Sequence, residues 1–227
     1  MSRLWWLIGA VVAVLAVAVV GPWAYDEYVA GEDDSAFTLS DPATELPANA
    51  PPGSWPVTHG TGIDQTAAGY TVHETLVGAQ STVSGSTGEV TGWALVNGDI
   101  VRNGEVHVKV SGIRTDSAQR DEYFANTLMR APDFPDALFA LVEPVDISSV
   151  PADGALGTVT TRGELTLKGQ TVPVTVNMQV RKEPAGLIVA ANVPVWWRDF
   201  GIEPPSLGFV SVAPNGTLDF VVNFARR

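Results

Sequence analysis

Apolar and polar residues alternate with a period of two through much of the chain. Val172, Val174, Val176, Met178 and Val180 fall on one face of a strand, and Thr171, Pro173, Thr175, Asn177, Gln179 and Arg181 on the other. Val106, Val108 and Val110 alternate in the same way with Glu105, His107, Lys109 and Ser111. Near the end, Leu218, Phe220, Val222 and Phe224 alternate with Thr217, Asp219, Val221 and Asn223. Side chains on a strand point to opposite faces in turn, so each pattern predicts a strand with one apolar and one wetted face. Further strands are expected over 69–77, 82–92, 138–147, 163–168 and 187–195.

The turns fit this reading. Asn97-Gly98 and Asn103-Gly104 are dipeptides that tolerate the positive φ of tight hairpins. Lys168-Gly169-Gln170 should join 163–168 to 171–181 as a hairpin, and Asn215-Gly216 should precede the last strand. About eight strands with short connections favour antiparallel neighbours in an up-and-down sheet. Such a sheet buries its apolar face either as a sandwich or as a closed barrel. With eight strands, a barrel interior is wide enough to be filled by side chains or to hold one slim ligand.

One passage breaks the alternation. After a strand ending near Ile113, Asp116 is placed to cap a helix, with Gln119 three residues on in the capping-box position. Phe124 and Leu128 share a face at the i, i+4 spacing, and Pro132 and Pro135 end the helix. A lone short helix over an all-β body predicts a cover near the mouth of a barrel.

The first part of the chain is different again. Leu4 to Tyr25 carries no charge. Its 22 residues would span about 33 Å as a helix, against a hydrocarbon core of about 30 Å. Trp5 and Trp6 mark one end, and Trp23, Tyr25 and Tyr28 the other. Arg3 precedes the run, while Asp26 and Glu27 follow it. This predicts a single-pass anchor over 1–25 with a cytoplasmic N-terminus and the rest of the chain outside. The alternative is a signal peptide cleaved at Ala16-Val17-Ala18, which would release a secreted domain. Residues 26–53, acidic and then Pro-rich, read as a linker. Residues 54–227 are one domain's worth of chain.

Net charge is −12, and the chain has no cysteine. The acidic balance excludes a general phosphate-binding surface for nucleic acid. There is no disulfide framework. His59, His73 and His107 form no recognisable metal motif; His73 and Glu74 are adjacent and point to opposite faces of a strand. No Gly-x-Ser-x-Gly elbow and no phosphate-binding glycine loop occurs. No metal, catalytic residue or cofactor is assigned, and an enzyme reading has no positive support.

Read in order, several segments resemble the YceI-like family, the polyisoprenoid-binding, lipocalin-like proteins of bacterial envelopes. They are Gly69-Tyr70-Thr71-Val72-His73-Glu74, Val90-Thr91-Gly92 and Ile113-Arg114-Thr115-Asp116. Gln119-Arg120-Asp121-Glu122-Tyr123-Phe124 follows, then Phe134-Pro135-Asp136-Ala137-Leu138-Phe139. The last two are Gly163-Glu164-Leu165-Thr166-Leu167-Lys168-Gly169-Gln170-Thr171 and Arg198-Asp199-Phe200-Gly201-Ile202. Together they cover nearly all of 55–227. The chain departs from the common pattern at 83–88, which is small and polar here.

The resemblance implies an all-β, eight-stranded antiparallel barrel with a helix near its mouth and an apolar tunnel for an isoprenoid chain. No catalysis is implied. Candidate tunnel residues are Tyr70, Val72, Leu76, Trp93, Phe124, Leu128, Met129, Phe134, Phe139, Met178, Trp197, Phe200, Phe220 and Phe224. Glu74 shares a face with Tyr70, Val72 and Leu76; if that face is the inner one, its charge needs a cation or a place at the mouth. Arg120 and Arg198 are candidate head-group contacts, since a guanidinium fork suits a pyrophosphate or a quinone carbonyl. Their other reading is structural pairing with Asp116, Asp121 or Asp199.

The expected partners are thus a membrane, through the N-terminal helix, and an isoprenoid lipid such as a prenyl quinone or polyprenyl lipid. The acidic balance favours a neutral lipid such as menaquinone. A homodimer is left open, and so is a filled barrel serving as an envelope interaction module, with Trp196-Trp197 and Pro204-Pro205 as its contact patch.

Overall fold

The computed structural model describes residues 46–207 and 210–226, with the side chains of Leu76 and Leu207 outside that description. The expected membrane anchor and most of the linker lie outside the described residues. Among the described residues, no helix is long and apolar enough to cross a membrane.

Twelve β segments form one antiparallel sheet. They are β1 (Trp55–Thr58), β2 (Ala67–Leu76), β3 (Ala79–Thr87), β4 (Val90–Asn97), β5 (Ile100–Lys109) and β6 (Asp136–Leu141), then β7 (Val145–Asp146), β8 (Leu156–Leu167), β9 (Gln170–Glu183), β10 (Gly186–Trp196), β11 (Ser206–Leu207) and β12 (Val210–Ala225). Neighbours run β1-β4-β5-β6-β8-β9-β10-β12, and β1 also pairs with β12, which closes the ring. β2 continues the line of β1 along β12, and β3 pairs with β2. The fold is therefore an eight-stranded antiparallel barrel in which β1–β2 and β3–β4 each serve as one interrupted stave. Closure removes the exposed sheet edges that a sandwich would leave.

The strongest alternation gives the most regular pairing. β8 and β9 pair in an unbroken register from Leu156↔Arg181 to Leu167↔Gln170. Their two-residue turn places Lys168 at φ 49° and Gly169 at φ 74°, as a primed hairpin turn requires. Threonines and polar side chains cross-link the outer face, with Thr160 donating to Asn177 (2.7 Å) and Asn192 to Asp219 (2.6 Å).

Elsewhere the pattern misleads. Asn97-Gly98 does start the β4–β5 hairpin, but Asn103-Gly104 lies inside β5, opposite Leu95 and Ala94, beside a register shift. Asn215-Gly216 lies inside β12, where the register with β2 shifts between Val212 and Gly216. Both dipeptides lie beside register shifts of the β-bulge kind, and neither takes up the positive φ of a tight turn. The expected strand over 82–92 is broken at Gly88-Glu89, and that over 138–147 stops at Leu141 before the short β7.

β1 was not expected. It is held by the loop behind it: Thr66 Oγ1 donates to the Thr58 carbonyl (2.5 Å) and accepts from the Asn223 backbone N–H (3.0 Å), and Asn223 Nδ2 donates to the Asp64 carbonyl (2.7 Å). These side-chain bonds bridge the gap between β1 and β2 along β12. Residues 46–53 end the segment read as linker, and there Asn49 donates to Glu105 (2.8 Å).

Among the described residues the one α-helix is α1 (Ala118–Glu122), continued by a π-helical turn over Tyr123–Leu128. Its cap is Ser117, whose Oγ accepts from the Arg120 N–H (3.4 Å), and not Asp116. The Asp116 carboxylate is drawn instead to the Arg120 guanidinium, four residues on. Asp121 is buried and accepts from both the backbone N–H and the hydroxyl of Thr115, each at 2.8 Å. The helix start is thereby tied to the loop before it, next to the isolated bridge between Ser86 and Arg114; β5 itself ends at Lys109, short of the strand end expected near Ile113. Arg130, at φ 53°, ends the helical run, and its carbonyl accepts from Asp133 and Phe134 (both 2.9 Å).

Candidate functional site

The inward faces of the staves do not meet. They enclose a cavity of about 550 Å³, within the range of about 300–1,000 Å³ seen for small-molecule sites. Its wall is mostly aliphatic: Leu165, Val174, Val180, Leu187, Val193 and Leu218 all face it. Tyr123 also borders the cavity while 42% exposed, which sets the helix at the rim.

Of the candidate tunnel residues, Tyr70, Val72, Trp93, Phe124, Leu128, Met129, Phe139, Met178, Trp197, Phe220 and Phe224 border this cavity. The π-helical winding helps to gather three of them. The Met129 N–H reaches the Phe124 carbonyl (2.8 Å), a bond spanning five residues. That wider turn brings Phe124, Leu128 and Met129 to the lumen together. Phe124 then stacks on Tyr70, with ring centroids 4.8 Å apart.

Two candidates are placed differently. Phe134 packs outside the lumen, over the Gly169 turn, where a Cβ on Gly169 would come within 2.6 Å of its ring. Arg130 lies over its other face, 5.6 Å from the centroid. Phe200 is core, 1% exposed, and does not border the cavity. The Leu76 side chain lies outside the described residues.

The polar candidates also separate. Arg198 is 78% exposed, stacks over Trp196 at 5.1 Å and lies 3.7 Å from Asp199, away from the cavity lining. Arg120 does border the cavity, but its guanidinium is taken by Asp116 and by Thr115 Oγ1 (3.3 Å). Glu74 faces inward on β2 and is 6% exposed. Its partner among the described residues is the Ser81 hydroxyl, which donates to Oε1 at 3.0 Å. Burying a charge with so little compensation costs several kcal/mol.

Tyr70 lies in the same electrostatic neighbourhood. Burial pushes its hydroxyl far above the ordinary phenol range; Arg120 opposes this, while Asp121, Asp116 and Glu74 add to it. Of these charged groups, Arg120 and Glu74 border the lumen. The indole N–H groups of Trp93 and Trp197, two residues that border the cavity, are buried without a hydrogen-bond partner among the described residues.

The sequence reading favoured aromatic residues and so passed over most of the aliphatic wall. The alternation that places Val174, Val180 and Leu218 on apolar faces was the available signal. Pro204 and Pro205, read as an outer contact patch with Trp196-Trp197, border the cavity, as does Trp197; Trp196 alone of the four is a large exposed hydrophobic residue. Among the described residues, no group of three His, Cys, Asp or Glu side chains is placed to hold a metal ion.

The architecture has solved counterparts. A polyisoprenoid binding domain from Saccharophagus degradans superposes with a TM-score of 0.56 at 12% identity, over 71% of this chain and 94% of that one. BcnA from Burkholderia cenocepacia gives 0.52 at 17% identity, over 69% and 95%. At these identities the likeness is one of fold. No curated protein matches the chain in sequence. The family model of the YceI-like domain matches residues 63–224, most of the chain, and the chain belongs to the YceI-like family.

Proposed function

We propose that this protein is a non-enzymatic binding protein that holds an isoprenoid-chain lipid inside its barrel, for storage, transport or presentation at a bacterial membrane. The observation that carries the reading is the aliphatic cavity of about 550 Å³ within a closed barrel of this family. The Saccharophagus degradans domain of the same fold is described as polyisoprenoid binding, which supports the choice of ligand.

Energetics agree. Each buried CH₂ contributes about 0.8 kcal/mol, so an isoprene unit gives roughly 3–4 kcal/mol. Several units offset an association cost of about 4–15 kcal/mol and reach about 8 kcal/mol net, which is micromolar affinity. A flexible apolar chain needs no polar partner along most of this wall.

The uncharged run from Leu4 to Tyr25 supports a membrane tether with the barrel on the outer side, and cleavage near Ala18 would give a secreted form. The reading is tested by extracting the purified full-length chain with organic solvent and weighing the lipids released. An isoprenoid lipid in near-stoichiometric amount is expected. Repeated recovery of none, together with no uptake of added prenyl quinone, would overturn it.

A further inference from the structure

The cavity is not uniformly apolar. Glu74 offers a carboxylate with one oxygen bonded to Ser81 and the other without a protein partner among the described residues. The indole N–H groups of Trp93 and Trp197, two residues that border the cavity, also lack a partner among the described residues, but both nitrogens are themselves buried.

Glu74 thus presents a spare acceptor to a mostly apolar lumen. Resting on the isoprenoid reading above, we infer that Glu74 recognises a hydroxyl group at the end of the bound chain. The ligand is thus an isoprenoid alcohol or a prenyl quinol, not a diphosphate. The hydroxyl donates a hydrogen bond to the Glu74 carboxylate. A diphosphate in the lumen would meet Glu74, and Arg120, the one cation bordering the cavity among the described residues, is already engaged by Asp116. An unpaired acceptor in an apolar pocket discriminates strongly against a ligand that cannot supply its bond.

The test is a titration of the full-length, delipidated chain with four probes that share one fifteen-carbon chain: farnesol, farnesyl methyl ether, farnesene and farnesyl diphosphate. Quenching of tryptophan fluorescence is the readout. Farnesol should bind at least tenfold more tightly than the ether, whose oxygen accepts but cannot donate. The diphosphate should bind more weakly than farnesol. In Glu74→Gln the amide can also donate, so the preference for farnesol over the ether, each measured against farnesene in the same variant, should fall to about twofold or less.

Equal binding of farnesol and the ether by the wild-type chain would overturn the inference while leaving the lipid-binding reading intact. So would an undiminished preference in Glu74→Gln. Failure of all four probes to bind would overturn both.

Discussion

The lumen wall and the small polar region beneath the helix obey different rules. The wall is built from residues such as Leu165, Val174, Val180 and Val193, contributed two residues apart by staves whose other faces are polar. The polar region is built from Glu74, Tyr70, Trp197 and the Thr115–Asp121 cluster, which come from distant parts of the chain. The wall supplies area and therefore affinity, with little regard to what the chain carries at its end. The polar region supplies few contacts, but each is buried, so mismatches there are costly. Strength and selectivity are thus assigned to separate places.

The difference should show first in ligand length. Lengthening a prenyl alcohol by one isoprene unit should add about 3–4 kcal/mol until the lumen is full, after which affinity should level off. Isothermal titration across a series from geraniol upward measures this; affinity independent of length would break the division.

The next largest effect lies at the polar region and concerns stability. Asp121→Ala removes the acceptor for the Thr115 N–H and hydroxyl, leaving buried groups unpaired. We expect a loss of about 1–3 kcal/mol in denaturant unfolding, with the helix loosened before the barrel. Loss at the helix is readable by hydrogen exchange at 115–128, and protection unchanged there would contradict this account.

Filling the wall should act in the opposite sense. Val174→Trp places a ring in the cavity. It should weaken prenyl binding at least tenfold, about 1.4 kcal/mol, with the circular dichroism of the barrel preserved. Unaltered affinity would show that the guest lies elsewhere.

The smallest effect is the pH dependence from Tyr70. Its folded-state pKa is raised, chiefly by burial, so its contribution is fully present below the unfolded phenol value of about 10 and is lost as pH rises beyond it. Tyr70→Phe should flatten the alkaline side of the stability curve. An identical slope in both proteins would remove Tyr70 from that role.

Much of the barrel was legible because period-two alternation is a local property. The Thr171–Arg181 pattern alone implies a strand with a wet and a dry face, and β9 is that strand. The same count put Glu74 on the face of Tyr70 and Val72 but left open whether that face was the inner one. Bulges were not legible. Asn103-Gly104 and Asn215-Gly216 have the composition of turns, and only the neighbouring strand shows that the chain runs straight on. β1 was missed because Trp-Pro-Val-Thr is too short to show a period, and its place is fixed by Thr66 and Asn223, eight and more than 150 residues away. Phe134, Phe200 and Arg198 sat in motifs that resembled the family, but whether a side chain borders a lumen depends on packing that no motif records. The π-helical turn was hidden for a similar reason: its widening depends on what Phe124 and Met129 pack against.

The most direct test of the account is an experimental structure of the full-length chain with farnesol. The account predicts continuous density for the prenyl chain within the barrel, along Val174, Met178 and Leu218, with the hydroxyl in hydrogen-bonding range of Glu74. A lumen without that density, or farnesol seated on the outer face of the sheet, would contradict it.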